Sequence, residues 1–505
     1  MSNYFLGIDI GTYESKGVLI DEECNIIHEC TQKHDLENPN PGYFEHDAEA
    51  VWWGDYCKIA HSILDETGID PNKIAAVGSS TLGADLVAID RSCVPLRKAI
   101  IYGIDSRAGK EIEYLNQTLG KDTIISVHGH PFASGDIAPK ILWLKNNEPE
   151  VYNSAYKFIT GNTYIAAKLT GSYAIDKFLA FGSYSPLYNK DTGSYNSLYG
   201  PLFCREDQLA EVHETTDIIG YVTKDASLQT GLAIGTPVIT GTDDSAAESV
   251  SVGLLEPGDM MVQLGSTMYM IVISDHSVHD SRISGGNHVI PHTHNARAGT
   301  NTAGTLTRWF RDHLFSDYYQ DELSGGVNAY QQMLDGLNSI PAGSNGLITL
   351  PYLAGERTPI NDPNAKGIIF GLSLSHTRAH LYKSALEGIG YSLQQHLRIF
   401  EENGAIVKTI NAVGGGTKNP VWLQILADIT GREIHIPEVG IGACFGDAMM
   451  AAIGVGQFKN FREIRKFIRQ GQVFYPNKTN HSVYCEYQKL FDELYPLTKD
   501  IMHSL

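Results

Sequence analysis

The sequence predicts an α/β protein of two related lobes that hold their ligands in a cleft between them. Three observations predict it. Strand-like and helix-like segments alternate along the first half. A hairpin with a glycine-containing tip opens the chain near Phe5, and a second one opens the later half near Asp259. Between them lies the turn-rich step Gly253-Leu254-Leu255-Glu256-Pro257-Gly258, which sets the lobes at 1–253 and 254–505. A duplicated α/β chain usually binds in the cleft between its halves.

The elements follow in order. Phe5 to Ile10 reads as a strand, Gly11-Thr12-Tyr13-Glu14-Ser15 as a turn and Lys16 to Asp21 as the return strand. Asn25 to Lys33 supplies a third strand. Apolar residues at helical spacing, Trp52, Trp53, Ile59, Ile63 and Leu64, predict one helix over Ala48 to Thr67 with both indoles in its core. Ile74 to Val77 and Asp85 to Ile89 are the next strands, with Ser79-Ser80-Thr81 joining them. Thr236 to Ile239 is a buried strand leading into Thr240 to Ala247. In the later half, Asp259 to Leu264, Gly265-Ser266-Thr267 and Met268 to Ser274 repeat the strand–tip–strand pattern. Helices are expected at Leu381 to Glu401, Pro420 to Thr430, Ala443 to Ile453 and Phe461 to Arg469, and a strand at Thr409 to Val413 before Gly414-Gly415-Gly416.

Composition excludes several classes. Hydrophobic residues are 42% and charged residues 19% of 505, which rules out disordered and collagen-like chains. With 38 basic and 58 acidic side chains the net charge is −20, so neither nucleic acid nor an anionic membrane attracts the chain as a whole. The seven cysteines are scattered without a C-x-x-C pair, as reduced thiols in a cytoplasmic protein would be, and Cys444 is expected to be packed and inert. No apolar run approaches the ~20 residues of a membrane span, and the opening residues lack a secretory pattern. The expectation is a soluble, cytoplasmic protein.

Chemistry-bearing residues concentrate at strand ends. A glycine in a hairpin tip lets backbone N–H groups approach an anion, and a hydroxyl adds a donor. Gly11 and Thr12 have this form, with Lys16 five residues after Gly11 to meet phosphate and Asp9 able to hold a metal ion through water. Two such tips point to a nucleotide, and in that setting the Gly414-Gly415-Gly416 turn reads as the adenosine site. Asp243 and Asp244 follow a buried strand. One such carboxylate suits a general base, the other a helix N-cap, and the cap is assigned to Asp243. His288, His292 and His294 have no carboxylate or cysteine at ligand spacing, so they read as surface histidines of a loop.

Pro351 to Gly367 (PYLAGERTPINDPNAKG) resembles a specific stretch of the FGGY carbohydrate kinases, the xylulokinase branch in particular. Ser384-Ala385-Leu386-Glu387-Gly388 looks like the family's C-terminal signature. Gly7-Ile8-Asp9-Ile10-Gly11-Thr12 looks like its first phosphate loop, and Ala138-Pro139-Lys140 also matches. The resemblance covers nearly the whole chain, with the motifs in order. It implies two ribonuclease-H-like lobes of the actin/hexokinase-like ATPase fold and phosphorylation of a sugar hydroxyl by ATP with Mg2+. It implies Asp244 as the catalytic base, followed by Ser245 where the family has Asn, and Asp9 as the acid near the metal. Gly11, Thr12 and Lys16 fall on the first phosphate loop and Gly265, Ser266 and Thr267 on the second. Gly415, Gly416 and Asn419 fall on the nucleotide side. Homodimers recur in the family.

Departures from the xylulokinase pattern bear on the substrate. Its Gln-Met-His-Gly is Leu82-Gly83-Ala84-Asp85 here, and its Trp-Asn-Asp-x-Arg is Tyr102-Gly103-Ile104-Asp105-Ser106-Arg107. The Arg-Glu pair of glycerol kinases is absent too. Gly83, Ala84, Asp85, Asp105 and Arg107 become candidates for sugar contact, with an ion pair behind the pocket as the alternative for the charged three. The acceptor is then xylulose, or another ketose, a polyol or a sugar acid such as ribulose, erythritol or gluconate. A catalytically silent sensor has no need of Asp244, Asp9, Lys16 and two phosphate tips.

Overall fold

A computed structural model describes residues 3–438 and 440–505 as two compact units. The first runs to Leu255 and takes in Gly286–His294 and Ile441–Ile468. The second holds Glu256–Gly285, Asn295–Gly440 and Arg469–Leu505. The units are therefore not two unbroken halves of the chain.

The first unit is built on a seven-stranded sheet. Tyr4–Ile10 pairs antiparallel with Glu14–Asp21, which pairs antiparallel with Ile26–Lys33. On its other side Tyr4–Ile10 runs parallel to Ile74–Thr81, followed by Pro237–Ile239 and then antiparallel Ile218–Tyr221. Thr242–Asp243 extends the sheet beside Ser80 and Thr81. A strand covered on both faces reads as a continuous apolar run, and Phe5, Leu6, Ile8 and Ile10 are all fully buried. One cover is the small-residue helix Ala443–Gly454. It lies so close that a Cβ on Gly7 would stand 2.0 Å from the Cys444 carbonyl oxygen. The other side carries a π-helical turn, Ala48–Trp53, running into the α-helix Gly54–Thr67, with Trp52 and Trp53 buried as expected.

The second unit repeats this pattern. Asp259–Leu264 pairs antiparallel with Met268–Ser274 and parallel with Thr409–Val413, which continues to parallel Ile434–Pro437 and antiparallel Gln470–Phe474. The strand directions match those of the first unit, though the edge strand Gln470–Phe474 follows its neighbour in the chain where Ile218–Tyr221 precedes its own. Helices Arg378–Glu402 and Pro420–Thr430 pack together and supply Leu386, Ile389, Leu393 and Trp422 to the core.

Two expectations are corrected. Ser79, Ser80 and Thr81 are not a link but the last residues of the strand Ile74–Thr81. Phe461–Arg469 is not one surface helix: helix Phe461–Ile464 passes into a 3-10 turn, and the strand Gln470–Phe474 follows. Among the described residues no helix is long and apolar enough to cross a membrane.

Candidate active site

The first unit gathers its carboxylates at the carboxyl ends of three neighbouring parallel strands, where ligands of α/β sheets bind. Asp9 is the last residue but one of the first strand, its register partners being Lys16 on one side and Ser80 on the other. The Ser80 hydroxyl stands 3.0 Å from Asp9 Oδ1 and 2.6 Å from Asp447 Oδ2. One hydroxyl carries one proton, so making both contacts well takes a second proton on a carboxyl. Asp9 is accordingly pushed up to about 7, chiefly by burial, with Glu248 and Asp243 adding to it against Ser80 and Lys16. Burial holds Asp447 well above the usual carboxylate range as well.

Asp243 and Asp244 divide their roles. Asp243 caps the helix Asp244–Ser251: its Oδ1 accepts from Ala246 N at 2.8 Å and from the Ser245 hydroxyl at 3.0 Å. Its other oxygen explains Gly83, because a Cβ there would stand 2.5 Å from Asp243 Oδ2. Asp244 is the first residue of that helix and keeps part of its surface exposed. Burial, then the charges of Asp243 and Asp9, hold it well above the ordinary carboxylate range. Glu248, one turn later, is raised too by burial.

The tip after Asp9 is braced from behind. Gly11 N donates to Glu14 O at 3.1 Å. His46 Nε2 donates to Thr12 O at 3.1 Å while its Nδ1 accepts from Trp52 Nε1. Burial lowers His46 to about 4, which keeps it neutral and suited to that paired role. His34 bonds Gly11 O through Nε2 and Asp55 through Nδ1, and Asp55 also accepts from Ser15. The Lys16 ammonium pairs with Glu14 at 2.9 Å.

In the second unit the tip Gly265-Ser266-Thr267 is tied down by the residues that start the helix Gly304–His313. Ala303 N and Thr305 N both donate to Ser266 O at 3.0 Å, and Gly304 N donates to Gly265 O at 2.9 Å. Ser266 itself is exposed. The strand Thr409–Val413 runs parallel to the one before this tip, so its turn opens at the same end. Gly414 takes φ +89° and lies on the backbone of Leu264, where a Cβ would meet Leu264 O at 2.9 Å. Gly415 is exposed with open space about it, and Asn419 Oδ1 caps the next helix by accepting from Trp422 N at 2.9 Å.

The family model for the N-terminal domain of the FGGY family of carbohydrate kinases matches residues 4–251, and that for its C-terminal domain matches 260–455. The chain belongs to the FGGY family. It is an ATP-dependent carbohydrate kinase that sits near the family's xylulokinase branch. A xylulose kinase of Staphylococcus epidermidis is 28% identical over 503 residues, covering 99% of this chain and 98% of that one. A gluconokinase of Bacillus subtilis is 27% identical over 480 residues, covering 93% and 91%. The crystal structure of xylulose kinase from Rhodospirillum rubrum superposes with a TM-score of 0.91 at 25% identity, covering 99% and 100%.

Among the FGGY positions proposed from sequence, Asp9, Gly83, Asp85, Asp244 and Ser245 come together in the first unit, beside the capping Asp243. Asp85 lies wholly buried, accepting from Gly161 N at 2.9 Å and pushed up to about 7 by burial. Ala84 has φ +62°, and its carbonyl receives the Lys140 ammonium at 2.6 Å. Asp105 and Arg107 correspond to the ion-pair alternative rather than to sugar contacts. Arg107 donates to Asp105 through Nε and Nη2 and to Glu45 through Nη1, with no guanidinium surface left exposed. His288 is not a surface histidine: it is buried, with Nε2 3.3 Å from the Ser249 hydroxyl. Cys444 is buried and its thiol is held well above its ordinary value by burial.

Sequence reasoning missed Ser80, Asp447 and Glu248. Glu248 was within reach, since a carboxylate four residues after Asp244 shares its helix face. Asp447 was not, because 367 residues separate it from Ser80.

Proposed function

We propose that the protein transfers the γ-phosphoryl group of ATP to a hydroxyl of an uncharged ketose of the xylulose type. Asp244 carries the reading. A carboxylate at the start of a helix, with its proton affinity raised by burial and by Asp243 and Asp9, is suited to take the proton of an attacking hydroxyl. Asp243 is committed to the cap and cannot substitute for it.

The hard oxygen donors beside Asp9 fit Mg2+, which binds through one or two carboxylates and the substrate's phosphates. Bound there, Mg2+ would neutralise phosphate charge. In the first unit the tip at Gly11-Thr12 offers phosphate the Thr12 hydroxyl and a side-chain-free approach at Gly11. In the second, Ser266 and Thr267 offer their hydroxyls, and the open Gly415-Gly416 turn takes adenosine. Electrostatics favours a neutral sugar over a sugar acid. Asp9, Asp85, Asp243, Asp244, Glu248 and Asp447 crowd this end of the sheet, while Lys16 is paired with Glu14 and Arg107 with Asp105 and Glu45. Among these carboxyls a substrate carboxylate meets no cationic side chain, and those that are ionised would repel it. All seven cysteines are free thiols, in keeping with a reducing cytoplasm.

Coupled ADP release tests this against D-xylulose, D- and L-ribulose, glycerol, erythritol and gluconate. A ketose with the highest kcat/KM is expected. Gluconate in first place would refute the electrostatic argument.

A further inference from the structure

A second cluster in the first unit is used by none of this chemistry. His128, His130 and Asp136 each present one ligand atom, all within 4.8 Å of one another, and theirs is the one such three-residue group among the described residues. We propose that they form a binding site for a late first-row divalent cation of the zinc class.

The geometry is close to a ligand set already. Ligands about 2.1 Å from a tetrahedral ion stand roughly 3.4 Å apart. His128 Nε2 is 3.2 Å from Asp136 Oδ2, and His130 Nε2 is 3.9 Å from Asp136 Oδ1. His128 is buried, with Nε2 facing only Asp136 and no hydrogen-bond partner at Nδ1. A buried polar group in that condition is costly, and coordination would satisfy it. The imidazole is held for the task by stacking on Phe132, with ring centres 4.6 Å apart. His130 Nδ1 donates to the Pro131 carbonyl at 2.9 Å, which fixes the tautomer with its lone pair on Nε2. Backbone bonds of that kind orient metal-binding histidines generally. Asp136 is steadied by Ala133 N at 2.7 Å.

Access and selectivity follow. The His130 side chain is 38% exposed, so the cluster opens to solvent with ligand positions to spare. Two imidazoles and one carboxylate suit Zn2+, Co2+ or Ni2+ and not Mg2+. The ion would tie the turn at Ser134, whose hydroxyl donates to Gly103 O at 2.6 Å, to the head of the helix Ile137–Asn147. Its role there is to brace the loop.

The test is titration calorimetry of Zn2+ into the chelator-stripped full chain, with excess Mg2+ present. Wild type should bind one ion per chain. His130→Ala and His128→Ala should each lose about 100-fold or more in affinity. Asp244→Asn, at the other cluster, should bind as wild type does. Co2+ in place of Zn2+ should show absorption bands that both histidine variants lack. No binding by wild type, or equal binding by the His130 variant, would overturn the site. His130 is partly exposed, so that variant decides the matter even should His128→Ala fail to fold.

Discussion

Asp243 and Asp244 are neighbours in sequence but hold different places on one helix. The cap holds Asp243, whereas Asp244 stands on the open first turn. Replacing it should therefore remove a catalytic group and little else. Asp244→Asn is expected to lower kcat by about 10²–10⁴-fold, with nucleotide affinity and melting temperature near wild type. Arg107 makes the converse case. Truncating it removes the counter-charge of buried Asp105 and leaves Glu45 to Arg97 alone. Arg107→Ala is expected to cost about 3–5 kcal/mol of stability in denaturant unfolding, while KM for the sugar in the folded enzyme changes little. A large rise in KM at unchanged stability would instead restore Arg107 to the sugar site.

At the scale of elements, the helix Ala443–Gly454 matters most. It comes from the far end of the sequence, packs on the opening strand of the first unit and delivers Asp447 to Ser80. Gly7→Ala would drive a methyl group into the helix backbone at Cys444. A backbone atom cannot rotate aside, so a loss of about 3 kcal/mol or more is expected on thermal or urea unfolding. This helix also marks where the sequence was legible. Its limits were read almost to the residue from small apolar residues, as were Asp259–Leu264, Thr409–Val413 and Pro420–Thr430. Local period and turn chemistry suffice for such elements. Its partner was not legible, because nothing local to ACFGDAMMAAI says which sheet it covers. The Asp105–Arg107–Glu45 group shows the same limit. Glu45 lies 62 residues from Arg107, and only the fold reveals that it completes the pairing. The tip braces His34, His46 and Asp55 were likewise invisible, since each acts through a backbone carbonyl or a partner distant in sequence.

Across the whole molecule, the two sheets share one pattern of strand directions about their centre, and their glycine turns fall at matching places. A tip follows the first strand of each sheet, at Gly11 and at Gly265. A glycine turn follows the parallel neighbour, at Leu82-Gly83 and at Gly414-Gly415. One scaffold thus gathers buried carboxyls in its first copy and opens a glycine turn in its second. The molecule also buries carboxyls that are pushed up to about 7, among them Asp85, Asp176, Glu356 and Glu387. Glu387, in the C-terminal signature, accepts from Gly343 N, Ser344 and Tyr484, and burial outweighs those bonds. Its folded value of about 7 lies above the unfolded 4.5. Its contribution is therefore fully present below pH 4.5 and is lost as pH rises to about 7, a fall of about 3 kcal/mol. Glu387→Gln should abolish that part of the decline. The stability difference between the two proteins should then swing in the variant's favour across this window, as urea unfolding at several pH values would record. The most direct test of the account is ketose-dependent ADP release by wild type and Asp244→Asn, run beside nucleotide binding by each. The account predicts turnover in wild type, near-silence in the variant and equal nucleotide affinity in both. Turnover by Asp244→Asn close to wild type would contradict it.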